Sequence, residues 1–281
     1  MKEIEADVIS RAVAKLFTEA NVELGDDVLS ALKQALQTEN SPLGRETLNQ
    51  IIENARIARE RKIPLCQDCG TAVVFLEIGQ DAHISGGDLK QAVEEGVRRG
   101  YFQGYLRKGM VSQPFSKRIN TRDNTPAIIH TEIVPGDSLK ISVLPKGGGA
   151  ENKSRLGMLL PNEGKQGIIE LVLKTVEAAG GDPCPPLIIG LGIGGTAEQA
   201  MLLAKKALLR KVGKPNPDPE VAHLEKEVLM RVNRLGVGPM GFGGSNTALA
   251  VHALVMPTHI TSLPVAVNLQ CHSTRHKEVT L

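Results

Sequence analysis

Tryptophan is absent from the 281-residue chain, and two tyrosines and five phenylalanines are its only other large aromatic residues. Few rings are therefore available to stack on bases. Charge of one sign is not in excess either. Lys and Arg number 33 against 31 Asp and Glu, for a net charge of +2, so no field over the whole surface would draw nucleic acid. No apolar run reaches the roughly 20 residues that a membrane span needs. The start, Met1-Lys2-Glu3-Ile4-Glu5-Ala6-Asp7, is acidic and lacks the apolar core of an export signal. The expected location is cytoplasmic, where thiols stay reduced. Repeats, charge blocks and low-complexity linkers are missing as well. Four cysteines point to metal, redox chemistry or burial before they point to disulfides. What remains is ordinary globular composition, 41% apolar and 23% charged.

Hydrophobic period organises the chain. Val8, Ile9, Ala12, Val13, Leu16 and Phe17 recur at helical spacing, as do Val28, Leu29, Leu32 and Leu36. Ser41 before Pro42 is an N-cap with proline in the first turn, opening a third helix through Ile51, Ile52 and Ile57. Beyond Pro64 the character changes. Thr71 to Ile78 reads as a strand, Asp88 to Leu106 as a helix, and Ala127 to Leu144 as two strands joined by a Pro135-Gly136-Asp137-Ser138 turn. A helix over 165–179, a buried strand over 187–191, helices over 198–212 and 219–235, and strands over 248–255 and 263–269 complete the reading. Without a regular βαβ period, the fold class is α+β. The expected layout is one domain over residues 1–281. In it a helical block, about 1–62, precedes a mixed sheet with flanking helices and glycine-rich active-site loops, about 63–281.

Glycine gathers at Gly147, Gly148, Gly149; at Gly190, Gly192, Gly194, Gly195; and at Gly236, Gly238, Gly241, Gly243, Gly244. Each cluster reads as a loop between regular elements, either a tight turn or a place where backbone N–H groups approach an anion. Gly190-x-Gly192-x-x-Gly195 after a strand matches a dinucleotide fingerprint. The acidic strand end due about 20 residues later falls instead in the proline-rich loop Lys214 to Asp218, so a nicotinamide oxidoreductase is a weak reading.

Cys66-Gln67-Asp68-Cys69 precedes a strand rather than a helix, the wrong order for a thioredoxin-type pair, and it has no second C-x-x-C for a zinc ribbon. Cys184, in Asp182-Pro183-Cys184-Pro185-Pro186, and Cys271, at the end of the last strand, also lie at the mouths of elements. Thiolates from such loops suit a soft metal centre such as an iron–sulfur cluster, although spacing alone leaves that open beside simple burial. His259 and His272 flank the last strand and are the suggestive imidazoles. The run Arg107 to Asn124, with Lys117, Arg118 and Arg122, is a solvated basic loop or a carboxylate clamp.

Taken in order, Cys66-Gln67-Asp68-x-Gly70-Thr71-Ala72, Asn120-Thr121-x-x-Asn124-Thr125-Pro126-Ala127, Lys146-Gly147-Gly148-Gly149-x-x-Asn152-Lys153, Cys184-Pro185-Pro186 and Leu263-Pro264-Val265 leading to Cys271 form one pattern. Over roughly residues 5–281 it resembles the iron–sulfur (class I) fumarate hydratases and their tartrate dehydratase relatives. The likeness is to the α subunit, which corresponds to the N-terminal half of the single-chain enzymes. The resemblance implies that Cys66, Cys184 and Cys271 hold a [4Fe–4S] cluster, leaving one iron open as a Lewis acid. It implies that Gln67, Arg107 and the Gly147, Gly148 and Gly149 loop bind substrate, and that Asp68 and His259 are catalytic. Cys69 stands where the family usually has Thr, so it is not counted as a ligand. The family's other half supplies the proton-abstracting residue. The expected partner is therefore a β subunit, in a heterodimer or heterotetramer acting on a small dicarboxylate. Reversible hydration of fumarate to (S)-malate is the first expectation and L-tartrate dehydration the second. A non-catalytic cluster-binding or regulatory subunit is the rival from another class.

Overall fold

The computed structural model describes residues 2–281. In chain order it contains β1 (Lys2–Glu5), α1 (Ala6–Val22), α2 (Asp26–Thr38), α3 (Pro42–Arg61), β2 (Thr71–Gly79), β3 (Ala82–Ser85), α4 (Leu89–Gln103), β4 (Ile128–Val134) and β5 (Leu139–Lys146). There follow α5 (Gly148–Glu151), β6 (Arg155–Leu159), α6 (Gly164–Ala179), β7 (Leu187–Gly194), α7 (Ala197–Ala207), α8 (Pro219–Asn233), β8 (Ala248–Met256), β9 (Leu263–Gln270) and β10 (Lys277–Thr280). The fold is α+β. None of its described helices is long and apolar enough to cross a membrane. The chain forms two compact units. One comprises the residues up to Leu24, Ala55–Gly148 and Arg275–Leu281; the other comprises Gly25–Asn54 and Gly149–Thr274. These units do not follow the helical-then-mixed order of the sequence, because α1 goes to the first and α2 to the second.

In the first unit, β10, β5, β2 and β4 form a mixed sheet in that order. The Pro135–Ser138 turn does not join a hairpin. β2 lies between the strands it connects, antiparallel to β5 and parallel to β4. The end of β2 tucks under the turn, where a methyl group on Gly79 would sit 2.4 Å from the Gly136 carbonyl oxygen. Helices α1 and α4 pack together and bury Ile9, Val13, Phe17, Val93, Val97 and Tyr101 with Val74, Leu76, Ile141 and Val143 of the sheet. Small residues let the two helices approach: a methyl on Gly96 would meet the Val13 side chain at 2.6 Å, and one on Gly100 the Ala14 carbonyl at 2.8 Å. α4 is capped by Asp88, whose carboxylate accepts from the Gln91 N–H at 2.8 Å.

In the second unit, β6, β9, β7 and β8 form the sheet, with β7 antiparallel to β9 and parallel to β8. One apolar layer joins Ile168, Val172 and Val176 of α6 and Val228 and Val232 of α8 to Ile189, Leu191, Val265, Val267 and Leu269. Helix α7 contacts β7 and β9, with Ala200 and Ala204 packed on Ala266. Gly190 and Gly192 stand inside β7 rather than in a loop. A methyl group on Gly190 would lie 2.0 Å from the Ala204 carbonyl oxygen, and one on Gly192 lies 1.9 Å from that of Ala200. These glycines let a helix rest directly on a strand, which accounts for the apparent dinucleotide fingerprint without a ligand.

Candidate active site

The expected site residues divide between the units. Cys66, Gln67, Asp68, Arg107, Gly147 and Gly148 belong to the first; Gly149, Cys184, His259 and Cys271 belong to the second.

In the first unit, α3 ends at Arg61 and the chain turns through Leu65–Gly70 before β2 begins. Leu65 donates its N–H to the Asn21 carbonyl at the end of α1, at 2.8 Å. Cys66 and Gln67 are then left exposed. Asp68 is fixed by two backbone donors, Gly70 N–H on one carboxylate oxygen and Gly148 N–H on the other, both at 2.8 Å. The acid and the glycine loop are thus one structure. Gly70 has φ +78°, and a methyl group there would strike the Pro145–Lys146 backbone at 2.7 Å, so this loop lies flat on the end of β5. Tyr101, fully buried, places its hydroxyl 2.7 Å from the Cys69 carbonyl and 2.9 Å from that of Gly70.

Cys69 is not like its neighbour Cys66. It is 1% exposed, and its sulfur accepts the Arg107 backbone N–H at 3.2 Å. Burial pushes its thiol up, against the Arg107 hydrogen bond and the nearby Arg275 charge. A neutral buried thiol is a packing group that holds the Arg107 backbone. Arg107 itself is exposed. The segment after it closes a small arm through the Val111–Asn120 bridge. Asn124, fully buried at φ +64°, pins the base of that arm. Its side-chain oxygen accepts from Gly109 and Met110 N–H, and its amide nitrogen donates to the Gly70 carbonyl. Motif residues Asn124 and Gly70 are therefore a scaffold for Asp68 and Arg107.

In the second unit, Cys184 sits in a turn with φ +55°, followed by the cis Pro185–Pro186 bond. Its carbonyl accepts the His272 backbone N–H at 3.2 Å and lies 2.9 Å from His272 Nδ1. A carbonyl only accepts, so Nδ1 carries the proton. The Cys184 turn and the end of β9 that bears Cys271 are thereby joined, and both cysteines are partly exposed. Asp182, two residues before Cys184, pairs with Lys153 at 2.6 Å. The Gly236–Gly244 loop backs the turn, since Met240 N–H donates to the Pro185 carbonyl at 2.8 Å. His259 lies in the exposed segment after β8, its Nδ1 2.8 Å from Thr261 Oγ1.

Among the described residues none of the four cysteines is in a disulfide, and no three His, Cys, Asp or Glu side chains gather around a single-ion site. Sequence reading passed over Arg275, which is 1% exposed and donates to the Asp68 carbonyl at 2.8 Å and to Asn21 Oδ1 at 3.1 Å. It also passed over Gln270, wholly buried beside Cys271, whose amide atoms have no hydrogen-bond partner among the described residues. Arg275 lies in a polar terminal stretch and Gln270 at the last position of β9, where neither residue type gives a periodic signal, so neither could be found without the fold.

A family model described as Fumarate hydratase (Fumerase) matches residues 10–280. A Methanocaldococcus jannaschii protein provisionally named L(+)-tartrate dehydratase subunit alpha is 44% identical over 274 residues, covering 95% of each chain. The L(+)-tartrate dehydratase subunit alpha of Escherichia coli O157:H7 is 31% identical over 284 residues, covering 100% of this chain and 92% of its own. The protein of the same name from Shigella sonnei matches equally well, at 31% over 284 residues.

Proposed function

Because the chain belongs to the fumarate hydratase family, we propose that it is the α subunit of a two-subunit iron–sulfur hydro-lyase that dehydrates L(+)-tartrate. The observation that carries the substrate is the naming of its near full-length relatives as L(+)-tartrate dehydratase α subunits. This reverses the order of the sequence expectations, which put fumarate first. Tartrate and malate are both four-carbon dicarboxylates, and the motifs separate family from family rather than two hydroxyls from one.

Cys66, Cys184 and Cys271 would hold the [4Fe–4S] cluster. Their fit to it rests on donor chemistry: three soft sulfur ligands on exposed or partly exposed loops at the ends of elements. The buried amide of Gln270, next to Cys271, has no hydrogen-bond partner among the described residues and is a polar group that a bound cluster is expected to satisfy. When bound, the cluster supplies Lewis acidity at an iron that three thiolates leave open.

The chain's own groups bind and orient. Arg107 has the planar fork that grips a carboxylate, and its backbone is held by Cys69. Asp68 already accepts one backbone N–H on each oxygen. A second lone pair on each remains for a substrate hydroxyl or for the base that removes the proton at carbon. Gln67 is exposed beside it for a further polar contact. Loss of hydroxide from one carbon and a proton from its neighbour gives the enol of a keto-dicarboxylate. Fixed cations and N–H donors stabilise the negative charge that develops on the carboxylate as the proton leaves. The proton-abstracting group would come from the β subunit, and His259 would contact substrate or transfer a proton.

The test is co-expression with the β subunit without oxygen, iron and sulfide analysis, and rates on L(+)-tartrate, D-tartrate, (S)-malate and fumarate. The expected result is about four irons per chain and the highest kcat/KM on L(+)-tartrate. Higher kcat/KM on malate or fumarate would restore the fumarate hydratase reading. A full cluster with no turnover of any of the four would favour the non-catalytic subunit. Cys184→Ser should lose both iron and activity.

A further inference from the structure

Among the described residues Arg275 is the largest fully buried side chain, and no carboxylate pairs with it. Its hydrogen bonds among the described residues go to two neutral oxygens, the Asp68 carbonyl and Asn21 Oδ1, and its Nε has no partner there. An unpaired guanidinium removed from water is costly. Folds retain such a charge where an anion offsets it. The surroundings within the first unit say which anions those are. Arg275 grips the backbone of the Cys66–Gly70 loop at the residue whose side chain reaches the Gly148 N–H. A methyl group on Gly147 would lie 3.8 Å from Arg275 Nη2 and 3.5 Å from Asp68 Oδ2, so the cation and the acid border the same glycine. Asn21 receives the other bond, while its own carbonyl holds Leu65 N–H at the entry to that loop. One buried cation thus fixes both ends of the loop that carries Cys66, Gln67 and Asp68.

We propose that Arg275 is a positioning residue of the hydro-lyase site, clamping the Cys66–Gly70 loop in the geometry that holds Asp68 on the glycine loop and placing a fixed positive charge beneath the anions gathered there. Its place in catalysis rests on the reading that this loop is the active-site loop, whereas its clamp does not. Arg275 touches no reacting atom. It acts through Asp68, so its loss should lower turnover more than substrate binding, which Arg107 and the glycine N–H groups perform.

The test compares Arg275→Gln and Arg275→Lys in the full chain and in its complex with the β subunit. In the chain, amide exchange at Gly70 and Gly148 should quicken about tenfold or more in Arg275→Gln. Arg275→Lys, which keeps the charge but not the fork, should show a smaller change. In the complex, kcat on the preferred substrate should fall about tenfold in Arg275→Gln with KM within about twofold, and Arg275→Lys should recover part of it. Unchanged exchange in Arg275→Gln would overturn the clamp. Equal losses of kcat and melting temperature in both variants would overturn the charge role and leave only packing. A wild-type complex with no hydro-lyase activity would defeat the functional reading instead, with the exchange experiment still deciding the clamp.

Discussion

Glu39 offers the sharpest link from a single side chain to the geometry of a candidate cluster ligand. It is 3% exposed, and its two oxygens accept from Ser41 N–H, Ser245 N–H, Asn246 N–H and the Asn246 side-chain amide at 2.9–3.0 Å. These bonds hold the end of the Gly236–Gly244 loop against α2, and Gly244 at φ +143° leaves no room for a methyl group, which would lie 2.5 Å from Glu39 Oε1. The same loop backs the Cys184 turn through Met240 and through Gly241, where a methyl group would lie 2.6 Å from Gly181 Cα. Glu39→Gln keeps the shape and one acceptor oxygen but turns an NH₂ group toward at least two N–H donors. With hydrogen bonds to a charged group worth about 1.5–3 kcal/mol each and not additive, the loss should be about 3 kcal/mol. That corresponds to a fall in melting temperature of about 6–12 °C for a protein of this size.

The acid limb gives a second reading of the same residue. Burial would raise the Glu39 carboxyl, but the hydrogen bonds from Ser41, Asn246 and Ser245 outweigh it and hold it below the usual value. A carboxyl lowered in the folded state adds stability that is present above its ordinary value of about 4.3 and lost as pH falls through the lowered one. The gap between wild type and Glu39→Gln should therefore narrow below about pH 4. Alkylation of Cys184 in the metal-free chain, followed by peptide mass analysis, should be severalfold faster in the variant. A variant that melts within about 2 °C of wild type at pH 7, with Cys184 alkylated at the same rate, would refute the coupling from Glu39 to the turn.

Five further substitutions test the packing and the site. Gly192→Ala forces a methyl group to within 1.9 Å of the Ala200 carbonyl and 2.6 Å of Ala204 N, both backbone atoms of α7. It should cost about 3 kcal/mol or more, while Gly109→Ala, with nothing within 4 Å, should be near neutral by thermal melting. Cys69→Val removes the acceptor of the Arg107 N–H and should cost about 1–3 kcal/mol and lower kcat/KM, whereas Cys69→Ser should keep both. Equal behaviour of the two would show that the bond is unimportant. Burial raises both Tyr101 and Cys69, so the folded chain keeps protons that the unfolded chain releases. Stability should fall as pH rises above the ordinary thiol value of about 8.5 and again above about 10. Tyr101→Phe should lose only the second decline, and should melt slightly lower at pH 7 for want of the hydrogen bond its hydroxyl shares between the Cys69 and Gly70 carbonyls.

Much of this was legible in one dimension. Apolar period gave α1, α2 and α3 as helices and α6 and α8 nearly to their ends, because an amphipathic helix repeats its burial every turn. Ser41 before Pro42 marked the start of α3, where the Gly44 N–H indeed bonds the Ser41 hydroxyl at 3.2 Å. Short edge strands were not legible: β1, β3 and β10 hold four residues each, too few to show a period. Helix α4 ends at Gln103 rather than Leu106, since the chain turns at Gly104 and Tyr105 takes φ +51°. The run of site motifs identified the family, because thiols, acid and glycines in a fixed order are chemistry written residue by residue.

The sequence by itself determined the α+β class and the family, and it supplied the candidate site residues, all of which depend on local period or on residue identity. Only the tertiary structure decided what holds them. Strand order put β2 between β4 and β5, and direct helix-on-strand contact explained Gly190 and Gly192. Contact across 80 residues joined Asp68 to Gly148, and contact across 207 residues placed Arg275 under the same loop. Such contacts are set by which surfaces the packed core brings together, and no local stretch of chain contains that information.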